Sequence, residues 1–398
     1  MAKILWVAFT IGATIGCGSG ADAPPGADIT ADANDGAIDV GALESGPDAA
    51  AGADTARDAG RDSATVADGA GADAKDASDA GAEVGPTAPT FWPGVNLSGA
   101  EFGSAIPGSA GKDYTFPTHA EIDYFLGKGL KMIRLPFLWE RLQASPLAEL
   151  SADTLTPIQD VVAYVKSKGG RTLLDPHNYA RYRGQVIGAA GGPSAADFAD
   201  LWKRLATLFK DDGSVVFGLM NEPHDLDTKL WLDDANAAIA AIRGAGAKQT
   251  IFVPGNNWTG AHSWGSTTDP TSSAAVMLGV VDPADNYVFE VHQYLDGDSS
   301  GTSDACVSAT IGSERLQAFT TWLVANGKRG FLGEFAGGRN DNCYKALEDM
   351  LGFVDKHRDV WVGYTWWAAG AWWGEYMYTL EPAAGADRPQ MAVLLKHL

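Results

Sequence analysis

Glu222 and Glu334 each close an apolar run that has the length of a buried strand. The first run, VVFGLM at 215–220, stops abruptly at Asn221, Glu222 and Pro223; the second, GFLG at 330–333, stops at Glu334 and gives way to Phe335, Ala336 and two glycines. Charged and amide groups do not belong inside a core, so both strands must open onto a surface or a site at these points. Two carboxyls on two strand ends suit one chemistry in particular. Cleavage of a glycosidic bond with retention needs one carboxyl to protonate the leaving oxygen and another, roughly 5 Å away, to attack the anomeric carbon.

Alternating elements must carry such a pair. From Phe91 onward, strand-like runs at 94–97, 132–136, 171–175, 215–220, 250–254, 287–292, 330–334 and 361–366 are interleaved with amphipathic stretches at 158–168, 195–209, 230–243, 313–325 and 344–357. Apolar residues recur in these stretches at three and four, and each sits at crossover length between strands. The pattern predicts an α/β fold, a (β/α)8 barrel over residues 91–398. A doubly wound open sheet is the competing arrangement, but no Gly-rich phosphate fingerprint follows the first strand.

In such a barrel the strand ends of one face build the site. Polar and aromatic groups collect at those ends: Arg134, then Asp175-Pro176-His177-Asn178, Asn221-Glu222, His292-Gln293-Tyr294, Glu334 and Trp366-Trp367. Any one of them reads equally well as a structural ion pair, a satisfied core histidine or a core plug. Six of eight strands delivering such groups to one rim point to a site.

The rest of the chain has another texture. Residues 18–90 are Ala, Asp and Gly with scattered Pro, Ser and Thr, and contain no aromatic residue. Such a segment cannot bury enough apolar surface to offset the entropy of ordering, which predicts a disordered acidic linker. More than half of the formal net charge of −21 falls there. No basic stripe exists to neutralise phosphates, which disfavours nucleic acid as a partner. Ahead of the linker, Lys3 precedes an apolar run at 4–15, too short for a permanent membrane span and suited to a secretory leader. The run ends at Thr14-Ile15-Gly16-Cys17, like a lipoprotein signal that makes Cys17 the lipidated N-terminus of the mature chain; plain secretion is the alternative. Lipidation of Cys17 would leave Cys306 and Cys343 as a pair that a disulfide could join across two neighbouring strand-end loops, or as two free buried thiols. Neither has His or Cys at metal-ligand spacing beside it.

The motifs of residues 92–398 resemble glycoside hydrolase family 5, the (β/α)8 cellulase type, and most closely its fifth subfamily of endoglucanases. The resemblance is carried, in the family's order, by GVNLSGAEFG at 94–103, LDPHNYARY at 174–182, LMNEPH at 219–224, EVHQYLD at 290–296, FLGEFAGG at 331–338 and YTWWAAGAWWGEY at 364–376. It implies that Glu222 is the acid/base and Glu334 the nucleophile. Asn221 would hold the 2-hydroxyl of the sugar being cleaved, and Tyr294 and Arg134 would bind and steady the nucleophile. His292 and His177 would orient the acid/base and the sugar, and Trp367 would form the floor under the reacting ring. The resemblance also implies a Cys306–Cys343 disulfide and no metal or organic cofactor.

With Arg134 beside it, Glu334 should be an anion, while a less polar setting and that neighbouring charge should keep Glu222 protonated. Trp and Tyr rings stack on the apolar faces of sugars. Trp139, Tyr179, Tyr182 and Tyr376 follow strand candidates, and Trp258, Trp264, Trp372 and Trp373 are the best candidates for outer subsites along a cleft. The expected activity is therefore internal cleavage of a β-1,4-glucan by a monomer that is exported, either tethered at the cell surface or outer membrane through Cys17 or released. β-Mannan, xyloglucan or mixed-linkage glucan are the alternative substrates, since one hydroxyl separates mannose from glucose. A glycan-binding lipoprotein is the alternative from another class, against which two intact acids argue.

Overall fold

Eight short strands, almost wholly buried, form a closed parallel barrel in sequence order: β1 (Trp92–Leu97), β2 (Met132–Phe137), β3 (Arg171–Pro176), β4 (Val215–Gly218), β5 (Ile251–Pro254), β6 (Tyr287–His292), β7 (Gly330–Glu334) and β8 (Trp361–Ala369), with β8 pairing back onto β1. This computed structural model describes residues 91–398; the leader at 1–17, Cys17 and the linker at 18–90 lie outside the described residues. Both faces of each strand are covered, which is why the strands read as near-continuous apolar runs. The main crossover helices are α1 (His119–Gly127), α2 (Ala152–Ser167), α3 (Ala195–Phe209), α4 (Thr228–Gly244), α5 (Ile311–Asn326) and α6 (Asp341–Lys356). Helix α3 begins where the sequence places it because Ser194 and Asp197 cap each other's backbone N–H groups.

The barrel interior is layered. Met132, Leu173, Val216, Phe252, Val288, Phe331 and Val362, one from each of β2 to β8, form an apolar plug against which Trp92 of β1 packs. Side chains alternate with period two, so the next inward positions on β2, β3 and β6 are Arg134, Asp175 and Glu290. The polar site thus stands on an apolar floor. On β7 the alternation is broken. Val291 of β6 faces Leu332 but His292 faces Glu334, leaving Gly333 as an extra residue. A bulge of this kind re-aims the following side chain, and here it turns Glu334 toward the mouth.

One sequence expectation fails between β5 and β6, where the sequence reading places no amphipathic stretch. No full crossover helix forms there: the connection contains only Ser273–Val276 and a single 3-10 turn, Met277–Gly279. Trp264, expected at an outer subsite, is 2% exposed and packs edge-on to Phe289 of β6 and to Phe319 and Trp322 of α5. The short connection leaves the outer face of β6 thinly covered, and the indole fills that space. Strand β4 also stops at Gly218, earlier than the apolar run suggests, and α1 and the small hairpin at Arg181–Tyr182 and Gln185–Val186 have no counterpart in the sequence reading.

Trp258 behaves in the opposite way. It is 48% exposed, stacked at 4.4 Å on His224, and held at φ +54° in a left-handed run that includes Asn257 and Thr259. Trp264→Ala is therefore expected to lower stability by about 3–5 kcal/mol, as for a buried core tryptophan. Trp258→Ala is expected to leave the unfolding midpoint within about 2 °C of the parent, the range of an ordinary surface change. Thermal unfolding of the two variants beside the parent checks both.

Candidate active site

Arg134 stands at the centre of the polar layer, with its side chain 1% exposed. Its Nη1 donates to Glu334 Oε1 and to Asn96 Oδ1, both at 2.9 Å, and its Nη2 donates to Asn221 Oδ1 at 2.8 Å. Asp175 Oδ2 lies 3.1 Å from Nη2, and Glu290 Oε1 lies 3.1 Å from Nε. Burial opposes the charge of the guanidinium. Asp175, Glu290, Glu334 and Glu222 outweigh burial and hold it protonated above its ordinary range.

Glu334 is fixed from two sides. Arg134 holds Oε1, and the Tyr294 hydroxyl donates to Oε2 at 2.7 Å. Burial, foremost, and the Glu334 charge push the Tyr294 phenol far up, so it remains a donor. Glu222, in the loop after β4, is held by one oxygen only: Oε1 lies 2.7 Å from His292 Nδ1. Its side chain is also the more open of the two, 15% exposed against 5% for Glu334. Glu222 adopts φ +40°, a left-handed conformation uncommon outside glycine, between Asn221 and Pro223. One oxygen of Glu222, one of Glu334 and a ring nitrogen of His292 all lie within 4.8 Å of one another. This separation suits direct attack by one carboxylate and leaves too little room for a water between the pair.

Electrostatically the pair is pulled both ways. Burial pushes the Glu334 carboxyl above the usual glutamate range, helped by Glu222, while the His292 and Arg134 charges pull it down. The anion expected from the cation beside Glu334 is thus opposed by burial, which the sequence does not display. Burial likewise depresses His292, yet Glu334, Glu222 and Glu290 overcome it and push the ring up to about 10. His177 is also raised against burial by its 2.8 Å hydrogen bond to Asp175, whose own carboxyl Arg134 and His177 hold below the aspartate range despite burial. The trio Glu222, His292 and Glu334 has the donor types of a cation site. Arg134 and the proton on His292 already neutralise it, however, and a divalent ion would have to displace both.

The structure brings some of the other sequence candidates to the mouth around this pair and buries others in the core. Asn221 is 1% exposed; its Oδ1 is taken by Arg134, and its buried Nδ2 has no acceptor among the described residues. An unmatched buried donor of this kind suits a sugar hydroxyl. Trp367 stacks on His177 with ring centres 5.4 Å apart, giving a flat apolar wall beside the carboxyls. Trp372, 40% exposed, offers an open ring on the same loop, but Trp373 does not. Trp373 is buried behind Trp367, stacked on Tyr376 at 4.4 Å and edge-on to Phe102, so it braces the wall without presenting a face. Trp139 and Tyr182 are likewise core residues, packed edge-on to each other. The Cys306–Cys343 disulfide ties the segment after β6 to the first turn of α6.

Several members of the site carry no role in the sequence reading. Asn96 accepts from Arg134 and donates from Nδ2 to the Gly333 carbonyl at 3.0 Å, beside Glu334. Glu101 is anchored by Ser98 and by the Gly99 N–H at 2.8 Å, with burial raising its carboxyl. Glu290, 1% exposed, lies below Arg134 and His292. A signal for Glu290 was present, because an acid two residues before His292 on an apolar strand must share the inward face.

The comparisons with known proteins agree with this geometry. Residues 86–370 match the family model described as cellulase, glycosyl hydrolase family 5. A protein named probable endo-beta-1,4-glucanase B from Neosartorya fischeri is 46% identical over 308 residues, 77% of this chain and 90% of that protein. Endo-beta-1,4-glucanase B from Aspergillus niger is 45% identical over 306 residues, 77% and 89% of the two chains. Among solved structures, an endo-beta-1,4-glucanase from Xanthomonas axonopodis pv. citri is 50% identical with a TM-score of 0.75, covering 77% of this chain and 98% of that one. XacCel5A in complex with cellopentaose is also 50% identical, with a TM-score of 0.76 and coverage of 78% and 99%. With the barrel, the paired carboxyls and these matches in hand, the chain belongs to glycosyl hydrolase family 5, the cellulase family.

Proposed function

We propose that this chain is an endo-β-1,4-glucanase that hydrolyses internal bonds of β-1,4-glucan with retention. The observation that supports this reading most is the unequal pair: two carboxyls within 4.8 Å, one clamped at both oxygens and the other held at one. Glu334 is the nucleophile, because Arg134 and Tyr294 fix both of its oxygens toward the anomeric carbon. Glu222 is the acid/base, with a free oxygen facing the leaving group and then water. In the first step the Glu222 proton passes to the glycosidic oxygen as the bond from C1 to that oxygen breaks and a bond from C1 to Glu334 forms. In the second, Glu222 takes a proton from water, whose oxygen displaces Glu334 from C1. Asn221 Nδ2 serves the 2-hydroxyl, His292 and His177 orient acid and sugar, Trp367 carries the reacting ring, and Trp258 and Trp372 extend the cleft. Retention suits the close carboxyl pair, and internal cutting suits open rings on two different strand-end loops, Trp258 after β5 and Trp372 after β8.

The test is viscosity loss against reducing-end release by the full chain on carboxymethylcellulose, with galactomannan alongside and Glu334→Gln as the blank. Viscosity should collapse on the cellulose derivative well before many ends appear. Thinning of galactomannan alone would keep the barrel and the pair and overturn the substrate. Export as a lipoprotein rests on residues 1–17: fatty-acid labelling of the parent, absent in Cys17→Ser, is the expected pattern, and an unlabelled parent would leave plain secretion.

A further inference from the structure

We propose that Glu290 is a positioning residue for the acid/base: from the layer beneath the reacting pair it keeps a proton on each nitrogen of His292, so that Nδ1–H points at Glu222. The proposal deepens the glucanase reading and rests on its assignment of Glu222.

Glu290 and His292 lie two apart on β6 and so face the same side of the strand. His292 Nδ1 is 2.7 Å from Glu222 Oε1 and 3.6 Å from Glu334 Oε2, while Nε2 is 3.6 Å from Glu290 Oε1. The ring therefore has a carboxyl at each edge. The contact with Glu290 is longer than a hydrogen bond, but Nε2 is buried with no hydrogen-bonding partner among the described residues, and at 3% exposure little water screens the charge. Arg134 Nε, 3.1 Å from the same oxygen, secures the carboxylate from the β2 side. Space for it is made on β7. A Cβ at Gly333 would lie 2.1 Å from Glu290 Oε1, so the bulge residue that re-aims Glu334 must also be glycine to admit Glu290.

A neutral imidazole carries one proton, and burial favours that form. If the proton sat on Nε2, Nδ1 would be an acceptor and would draw the Glu222 proton away from the glycosidic oxygen. Glu334 and Glu222 favour a second proton on the ring, and Glu290, the carboxylate facing Nε2, completes that field and removes this choice. With both nitrogens protonated, Nδ1–H binds Glu222 Oε1, the transferable proton resides on the other oxygen, and the carboxylate left after transfer is stabilised by the imidazolium. His292 keeps both protons throughout. The groups facing the ring are Glu222 after β4, Glu334 on β7, Glu290 on β6 and, further off, Arg134 on β2 and Asp175 on β3; the carboxylates push the ring up to about 10 against burial.

The experiment compares kcat/KM of the full-length parent, Glu290→Gln and Glu290→Asp on cellopentaose and on 2,4-dinitrophenyl β-cellobioside, whose leaving group needs no proton. Glu290→Gln is expected to lose about 30- to 100-fold on cellopentaose, within the range for general acid catalysis, and under about 3-fold on the aryl substrate. Glu290→Asp should fall between parent and Gln on cellopentaose alone. In 15N NMR, His292 should remain doubly protonated at pH 8 in the parent and be neutral in Glu290→Gln. Equal loss on both substrates, no loss on either, or a doubly protonated His292 in Glu290→Gln at pH 8 would overturn the proposal. If Glu290→Gln does not fold, Glu290→Asp decides through the same pair of substrates. A parent that cleaves neither substrate would instead count against the glucanase reading.

Discussion

Glu334→Ala is expected to lower kcat/KM on cello-oligosaccharides by about 10⁴-fold or more, as for loss of a nucleophile, and added azide is expected to restore turnover with an inverted product. The alanine opens the space beneath the anomeric carbon that Arg134 and Tyr294 otherwise keep filled with a carboxylate. Azide entering there attacks from the nucleophile's side and yields an α-glycosyl azide. Glu222→Ala has a different signature. It should lose about 10²- to 10⁴-fold on cello-oligosaccharides, the span of general acid catalysis, yet still form the glycosyl-enzyme from an aryl glycoside with a good leaving group. Azide then attacks that intermediate from the opposite face and gives the β-azide. The two product anomers, read by NMR, separate the roles. A β-azide from Glu334→Ala, or an α-azide from Glu222→Ala, would exchange the assignments made here.

Much of this site could be read from the chain because its residues are delivered by strands, and strands have a strict period. Asn221, Glu222, His292, Tyr294 and Glu334 stand at or just beyond strand ends, where a polar residue after an apolar run is conspicuous, and Arg134 stands out as a lone cation within the apolar run of β2. The boundaries of β6 and β7 are those the sequence gives for the same reason. Trp264 shows where this reading stops. In sequence it is a tryptophan in a loop after a strand, the same description that fits Trp258, and only the missing crossover helix decides that one is core and the other open. Nor does any local pattern announce a bulge at Gly333, since a one-residue slip depends on how two strands register. Glu290 is hard to read from the chain for another reason. An acid inside an apolar strand looks out of place until Arg134, distant in sequence, is seen against it.

Arg134→Met should have the second large effect, on stability as much as on activity. Methionine fills comparable space, but three buried carboxyls, of Asp175, Glu290 and Glu334, lose the cation that lies 2.9–3.1 Å from each. Breaking a buried ion pair from one side costs about 3–5 kcal/mol, because charge is left uncompensated in a poorly solvated site. The loss should depend on pH in a definite sense. In the parent, Arg134 and His177 hold the Asp175 carboxyl below the aspartate range despite burial. Its contribution is present above an ordinary aspartate pKa of about 3.9 and fades as pH falls through the lower folded value. In the variant burial dominates, the folded carboxyls bind protons more tightly than the unfolded ones, and stability falls as pH rises through their raised values. The gap between parent and variant should therefore be widest near pH 7–8 and narrow toward about pH 4.5, where protonation relieves the uncompensated charge. Denaturant unfolding of both proteins at the two pH values measures it. A gap of equal size at both would mean that Arg134 stabilises the barrel by packing, and that the charge at its centre serves the chemistry alone.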